Sequence, residues 1–94
     1  MTPLHLEFVG NAFKHGVTRK EIWEVFLNRD LPCFIIRFKT TGEEKIYNAL
    51  GVTEAGRYLV IGFVKQVDFT YRVIHAMNMK PSEQRRFNQS RKKR

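Results

Sequence analysis

The chain reads as an α+β domain of two layers, with N-terminal helices and a C-terminal helix packed on a four-stranded antiparallel sheet. Three observations predict this. A capped helix with an apolar stripe opens at Thr18. Between Pro32 and Asn78, β-branched and aromatic residues crowd together and are broken only by short polar turns. Pro81 then opens a final basic helix, with Glu83 in its first turn and Phe87 as its apolar anchor.

Leu4 to Val9 alternates apolar Leu4, Leu6 and Phe8 with His5 and Glu7, the period-two signal of a short strand or else an irregular lead-in. Gly10 to His15 can hold a turn or two of helix, closed by Gly16, the residue that tolerates the left-handed conformation of a helix end. Thr18-Arg19-Lys20-Glu21 is a capping box, in which hydroxyl and carboxylate reciprocally satisfy orphan backbone donors. Val17 and Ile22 are spaced as a hydrophobic staple, and Ile22, Val25 and Phe26 continue the stripe to about Asn28. Trp23 lies off the centre of that stripe, either widening the buried face or meeting a partner.

Strands are then expected at Cys33 to Thr40, Lys45 to Val52, Arg57 to Lys65 and Phe69 to Asn78. Thr41-Gly42-Glu43, Glu54-Ala55-Gly56 and Gln66-Val67-Asp68 supply the turns, and such short links make neighbours antiparallel. The third strand is apolar on both faces, as expected of a central strand. The last helix should fray after Asn88.

With 94 residues the chain is long enough for one hydrophobic core, so residues 1–90 are expected to form a single domain and 91–94 a frayed basic tail. Apolar residues make up 43% of it, eight of them Phe, which is enough to fold without metals or cross-links. One cysteine, Cys33, cannot form an internal disulfide, which fits a reducing compartment. No stretch approaches the roughly 18 apolar residues that cross a bilayer, and Met1-Thr2-Pro3 opens no secretory leader, so a cytoplasmic protein without a membrane partner is expected.

The net charge is +8, and it is unevenly placed. From Lys80 onward, Arg85, Arg86, Arg91, Lys92, Lys93 and Arg94 are opposed by Glu83 alone, while the body of the chain is nearly balanced. Such an end attracts phosphate backbones, anionic membranes or acidic proteins, or it merely solubilises.

Several chemistries lack their residues. His5, His15, His75 and Cys33 share no zinc-ligand spacing, so neither a metal nor another cofactor is expected. The six glycines form no phosphate loop, and the only serines, Ser82 and Ser90, lie in the basic terminal region. What remains is a set of cations and imidazoles near the ends of elements: Lys14, His15, Arg57, Arg72, His75, Arg85 and Arg86. That set suits metal-free RNA cleavage. One group takes the 2′-hydroxyl proton, cations stabilise charge developing at phosphorus, and a second group protonates the leaving oxygen.

Each has a plainer alternative. Arg57 is a phosphate ligand or a solvated turn residue, and His15 a catalyst or a helix C-cap, with Lys14 similar. His75, read on the same side of its strand as Tyr71, Val73 and Met77, is a proton carrier or a satisfied half-buried histidine. Arg85 and Arg86 bind RNA or an acidic protein. Tyr58 and Tyr71 stack on bases or pack in the core.

Three strings carry a family resemblance. Lys14-His15-Gly16-Val17-Thr18, followed by Glu21, Val25 and Phe26, resembles the opening of BrnT toxins. Leu50-Gly51-Val52-Thr53 with Gly56-Arg57-Tyr58-Leu59-Val60 is similar to their central strand pair. Tyr71-Arg72-Val73-Ile74-His75-Ala76-Met77, then Met79, Pro81, Glu83, Arg85, Arg86 and Phe87, resembles their closing strand and helix. The resemblance spans nearly the whole chain in order. It implies a RelE-like fold, ribosome-independent endoribonuclease activity that arrests growth, and a cognate BrnA-type antitoxin that occludes the toxin. By position it points to Lys14, His15, Arg57, Arg72 and the Arg85-Arg86 pair. Met77 stands where the family has an arginine, Lys80 where it has a capping Thr or Ser, and the segment from Asn28 to Thr41 matches poorly.

The leading expectation is therefore a toxin endoribonuclease, alone as a homodimer or in a toxin-antitoxin hetero-oligomer. In it Arg57, Arg72 and the terminal helix hold phosphate while His15 or His75 shuttles protons. Its rivals are a catalytically silent RNA- or DNA-binding module and a protein whose tail binds an acidic partner.

Overall fold

A computed structural model describes residues 4–28, 30–41, 44–67 and 69–92. The alternation at the N-terminus does make a strand, β1 (His5–Phe8). A single 3-10 turn, Gly10–Phe13, and the helix α1 (Arg19–Leu27) follow. Next come β2 (Phe34–Thr41), β3 (Glu44–Val52), β4 (Tyr58–Lys65), β5 (Thr70–Asn78) and α2 (Pro81–Lys92). The four strands expected after Pro32 all form, within a residue or so of their expected ends. Of the expected turns, residues 42–43 and Asp68 lie outside the described residues, as do 93–94 of the tail.

The sheet is not the four-stranded antiparallel one expected from the sequence. It has five strands in the order β1-β5-β4-β3-β2 and is mixed, because β1 joins β5 in parallel with His5 opposite Thr70 and Phe8 opposite Val73. Its helical cover also differs. The first expected helix is only a 3-10 turn without a side-chain cap, which leaves two α-helices among the described residues.

These helices lie on opposite faces of the sheet rather than sharing one. Ile22 and Val25 of α1 cluster with Ala49, Leu59, Ile61, Phe63, Val73 and Ala76, while Phe87 of α2 clusters with Leu50, Val52, Val60 and Met79. Strand neighbours such as Ala49/Leu50 and Leu59/Val60 point to opposite faces, so the two clusters are two separate half-cores. The two-sided apolarity of β4, buried at every position from Leu59 to Val64, makes a third layer obligatory, since bare sheet on either side would leave large apolar chains in water.

Local signals fix α1 firmly. The Glu21 backbone N–H donates to Thr18 Oγ1 at 3.1 Å and the Thr18 N–H donates to Glu21 Oε1 at 2.9 Å, completing the capping box. At the other end Asn28 Oδ1 accepts from the N–H groups of Asp30 and Leu31, and its Nδ2 donates to Val52 O at 3.2 Å, turning the chain out of the helix and tying it to β3. α2 begins on half of the same device: lacking a hydroxyl at Lys80, it has Glu83 Oε1 accepting from the Lys80 N–H at 2.8 Å. It continues one turn beyond Asn88, to Lys92. Among the described residues no helix is long and apolar enough to cross a membrane.

Candidate functional site

The cationic and imidazole side chains are divided between the two faces of the sheet. On the α1 side, Lys14 and His15 are exposed in the turn after Phe13, which ends at Gly16 with a φ of 78°. Arg57 reaches this turn from the position just before β4. Its Nη1 donates to Gly16 O at 3.4 Å and to both carboxylate oxygens of Glu21 at 3.1 Å, and its Nε donates to Asn78 Oδ1 at 2.9 Å. One guanidinium thus joins the Gly16 turn, the first turn of α1 and the last residue of β5, with its charge matched by Glu21. The Thr18 N–H, and beyond it the Arg57 guanidinium, hold the Glu21 carboxyl below the usual glutamate range against a partial offset from burial.

On the α2 side lie Arg72 and His75, and a bulge brings them together. Strand β5 pairs His75 with Gly62 and Val73 with Phe63, leaving Ile74 as an extra residue. Without it, residues three apart would face opposite sides. With it, Arg72 and His75 share one face, opposite Val64 and Gly62, two rungs apart on β4. His75 therefore does not lie on the side of Tyr71 and Val73 as the uninterrupted period of two suggested. Those two pack toward α1, Tyr71 stacking on Phe63 with centroids 4.4 Å apart, whereas Met77 stays with His75 and packs toward α2.

The His75 ring occupies the space that a side chain at position 62 would fill. A Cβ placed on Gly62 would overlap His75 Nε2 and come within 2.5 Å of Cε1 and 2.7 Å of Cδ2. His75 is half-buried, with Nδ1 enclosed. In the next strand, Asn48 pairs with Gly62 and is only 6% exposed, and its Oδ1 makes no hydrogen bond among the described residues. On the other flank, the parallel pairing puts Glu7 opposite Arg72. Leu6 and Phe8 turn toward the α1 cluster, which sends His5 and Glu7 to the α2 side, where both are exposed.

Helix α2 crosses this same side of the sheet. Phe87, fully buried, anchors it against Tyr58, with ring centroids 6.0 Å apart and nearly perpendicular. Tyr58 and Tyr71 are both partly buried, each packed against one of the two apolar clusters. Arg85 and Arg86 are exposed, the Arg86 guanidinium lying 5.8 Å from the Phe34 ring centroid.

The structure therefore gathers Arg72, His75, Arg85 and Arg86 on one side and Lys14, His15 and Arg57 on the other. Glu7, Asn48 and Gly62 were missed on the first side and Asn78 on the second, whereas Glu21 was read from the sequence as a helix cap and not as the partner of Arg57. Glu7 carried a signal, the alternation with Leu6 and Phe8; Asn48, Gly62 and Asn78 depend on strand pairing. A separate groove of about 800 Å³, lined by Trp23, Leu27, Leu31, Val52 and neighbours, contains none of the expected site residues. No protein-family model matches the chain, and no curated protein matches it significantly.

Proposed function

We propose that the chain acts on RNA in the cytoplasm as a BrnT-like toxin endoribonuclease that needs no metal and is neutralised by a cognate antitoxin. The observation that carries this reading is the bulge at Ile74. It puts a guanidinium and an imidazole on the face crossed by the basic helix α2, a combination suited to phosphate binding and proton transfer. The order and spacing of the three BrnT-like strings support the same reading. Arg72 and the exposed arginines of α2 hold the RNA backbone, and His75 moves a proton.

The test is to express the chain in growing cells, and in parallel to incubate the purified protein with labelled RNA in excess chelator. Growth arrest and cleavage in chelator are expected. Normal growth with intact transcripts at high expression would remove the toxin reading.

One observation favours a second reading, a silent RNA-binding module: the charge of Arg57 is already matched by Glu21. Such a module binds RNA with a log–log salt slope of roughly 0.7–0.9 per phosphate contacted, yet leaves it uncut.

A further inference from the structure

We propose that the ring of Phe69, displayed at the turn between β4 and β5, stacks on an unpaired base of the RNA that this protein binds. The inference rests on the RNA reading above but not on cleavage, since a silent binding module would use the same ring.

Two independent observations carry it. The first is exposure. Phe69 is 63% exposed and is the one exposed aromatic side chain among the described residues, the others being buried or half-buried. Val67, two residues earlier, is also exposed. The second is backbone conformation. Phe69 has a φ of 59°, the only positive value at a non-glycine residue among those described. In this left-handed region Cβ crowds the following carbonyl oxygen, so a bulky residue there is strained. Glycine or asparagine ordinarily fills such a place in a hairpin turn.

Hydrogen bonds on both sides keep the strained residue in place. The Gln66 N–H donates to Thr70 O at 2.7 Å and the Thr70 N–H donates to Val67 O at 3.3 Å, closing the turn around it. From β1 the His5 N–H donates to Phe69 O at 3.0 Å. The backbone is thus held where glycine would sit without strain, while the ring belongs to neither apolar cluster. A side chain that strains its own backbone and packs in neither half-core is accounted for by something outside the chain.

The surroundings favour nucleic acid. The turn shares one end of the sheet with Lys65 at the close of β4, Lys45 near the opening of β3 and His5 at the opening of β1, all three exposed. An exposed ring beside cations is the arrangement that holds single strands, because every base has a flat face and every nucleotide a phosphate. Two apolar side chains at a turn are too few for stable attachment to a membrane, which takes a broad apolar face or lipid chains.

The probe is a single-stranded 2′-O-methyl oligoribonucleotide, which cannot be cut through its 2′-oxygen. It carries 2-aminopurine at successive positions, a base that loses fluorescence when it stacks. The full-length protein is compared with Phe69→Gly, Phe69→Leu and Phe69→Trp, each checked by circular dichroism and thermal melting. Phe69→Gly is expected to melt at or slightly above the wild-type temperature, because relief of strain offsets the added freedom of glycine. It should nevertheless bind about 10-fold more weakly and quench less. Phe69→Leu keeps apolar surface but should bind as weakly, whereas Phe69→Trp should retain both readouts. A duplex of the same sequence, its bases already stacked on one another, should bind wild type and Phe69→Gly alike.

Unchanged affinity and quenching in Phe69→Gly and Phe69→Leu would overturn the stacking role while leaving the RNA reading intact. So would a Phe69→Gly protein that melts well below wild type, which would make the ring part of the fold. Vesicles of mixed zwitterionic and anionic lipid that bind wild type but not Phe69→Gly, with RNA binding unchanged, would give the turn to a membrane instead. A wild-type chain that binds no RNA would overturn both readings.

Discussion

Replacing Gly62 by alanine tests whether the His75 ring occupies the place described for it. Alanine in a strand interior ordinarily stabilises by about 0.5–1 kcal/mol relative to glycine, through lost unfolded-state entropy. At Gly62 the added methyl would lie 2.5–2.7 Å from ring carbons of His75 and closer still to Nε2. The imidazole must therefore move by about 1 Å or leave its place, and overfilled sites of this kind cost about 1–3 kcal/mol. The net expectation is a loss of about 1–2 kcal/mol, or a fall in melting temperature of roughly 5–10 °C for a domain of this size. In a His75→Ala background the obstacle is gone and the same substitution should stabilise by about 0.5 kcal/mol. Urea unfolding of the four proteins of this double-mutant cycle gives a coupling of about 2 kcal/mol. A Gly62→Ala effect that is equal with and without His75 would refute the placement.

Four further outcomes follow from the same structure. Phe87→Ala removes the only fully buried aromatic of α2 and should cost about 3–5 kcal/mol, exposing apolar surface that an environment-sensitive dye would report. Thr18→Ala should cost about 1 kcal/mol by thermal melt, because it removes one arm of the capping box. Because the folded-state pKa of Glu21 is lowered, its contribution is complete above the ordinary glutamate range and is lost as pH falls through the lowered value. Acid titration of Glu21→Gln should accordingly be flatter than wild type across that window. Burial raises the Cys33 thiol, so a disulfide reagent at neutral pH should modify the native protein slowly and the urea-unfolded protein at once.

The elements were legible in the sequence wherever a local rule decides them. The capping box of Thr18 and Glu21, the polar turns between strands and the proline opening of α2 each act within a few residues. Partnership between distant strands was not legible. Nothing near His5 states that β1 will pair with Thr70 rather than end a lead-in, and a parallel edge was therefore missed. Opposed helices were readable in principle, since β4 is apolar on both faces and each face needs its own cover.

For the candidate site the limiting step was one residue. The bulge at Ile74 inverts the phase of everything after it, so the period of two groups His75 correctly with Met77 but wrongly with Tyr71 and Val73, even though its strand is read correctly. Arg57 illustrates a different limit. Its position at a strand start was evident, but its partner Glu21 lies thirty-six residues earlier and was already accounted for by the cap.

The parallel pairing of β1 with β5 also bears on how the protein comes into being. Strand β1 waits for a partner made more than sixty positions later, so on the ribosome it emerges before the strand that will fill its edge. Glu7 and Arg72 meet only after that interval, and any nascent chain released before residue 72 lacks the pairing altogether. The face that carries Glu7 and Arg72 therefore comes together only when β5 has followed β1 out of the ribosome.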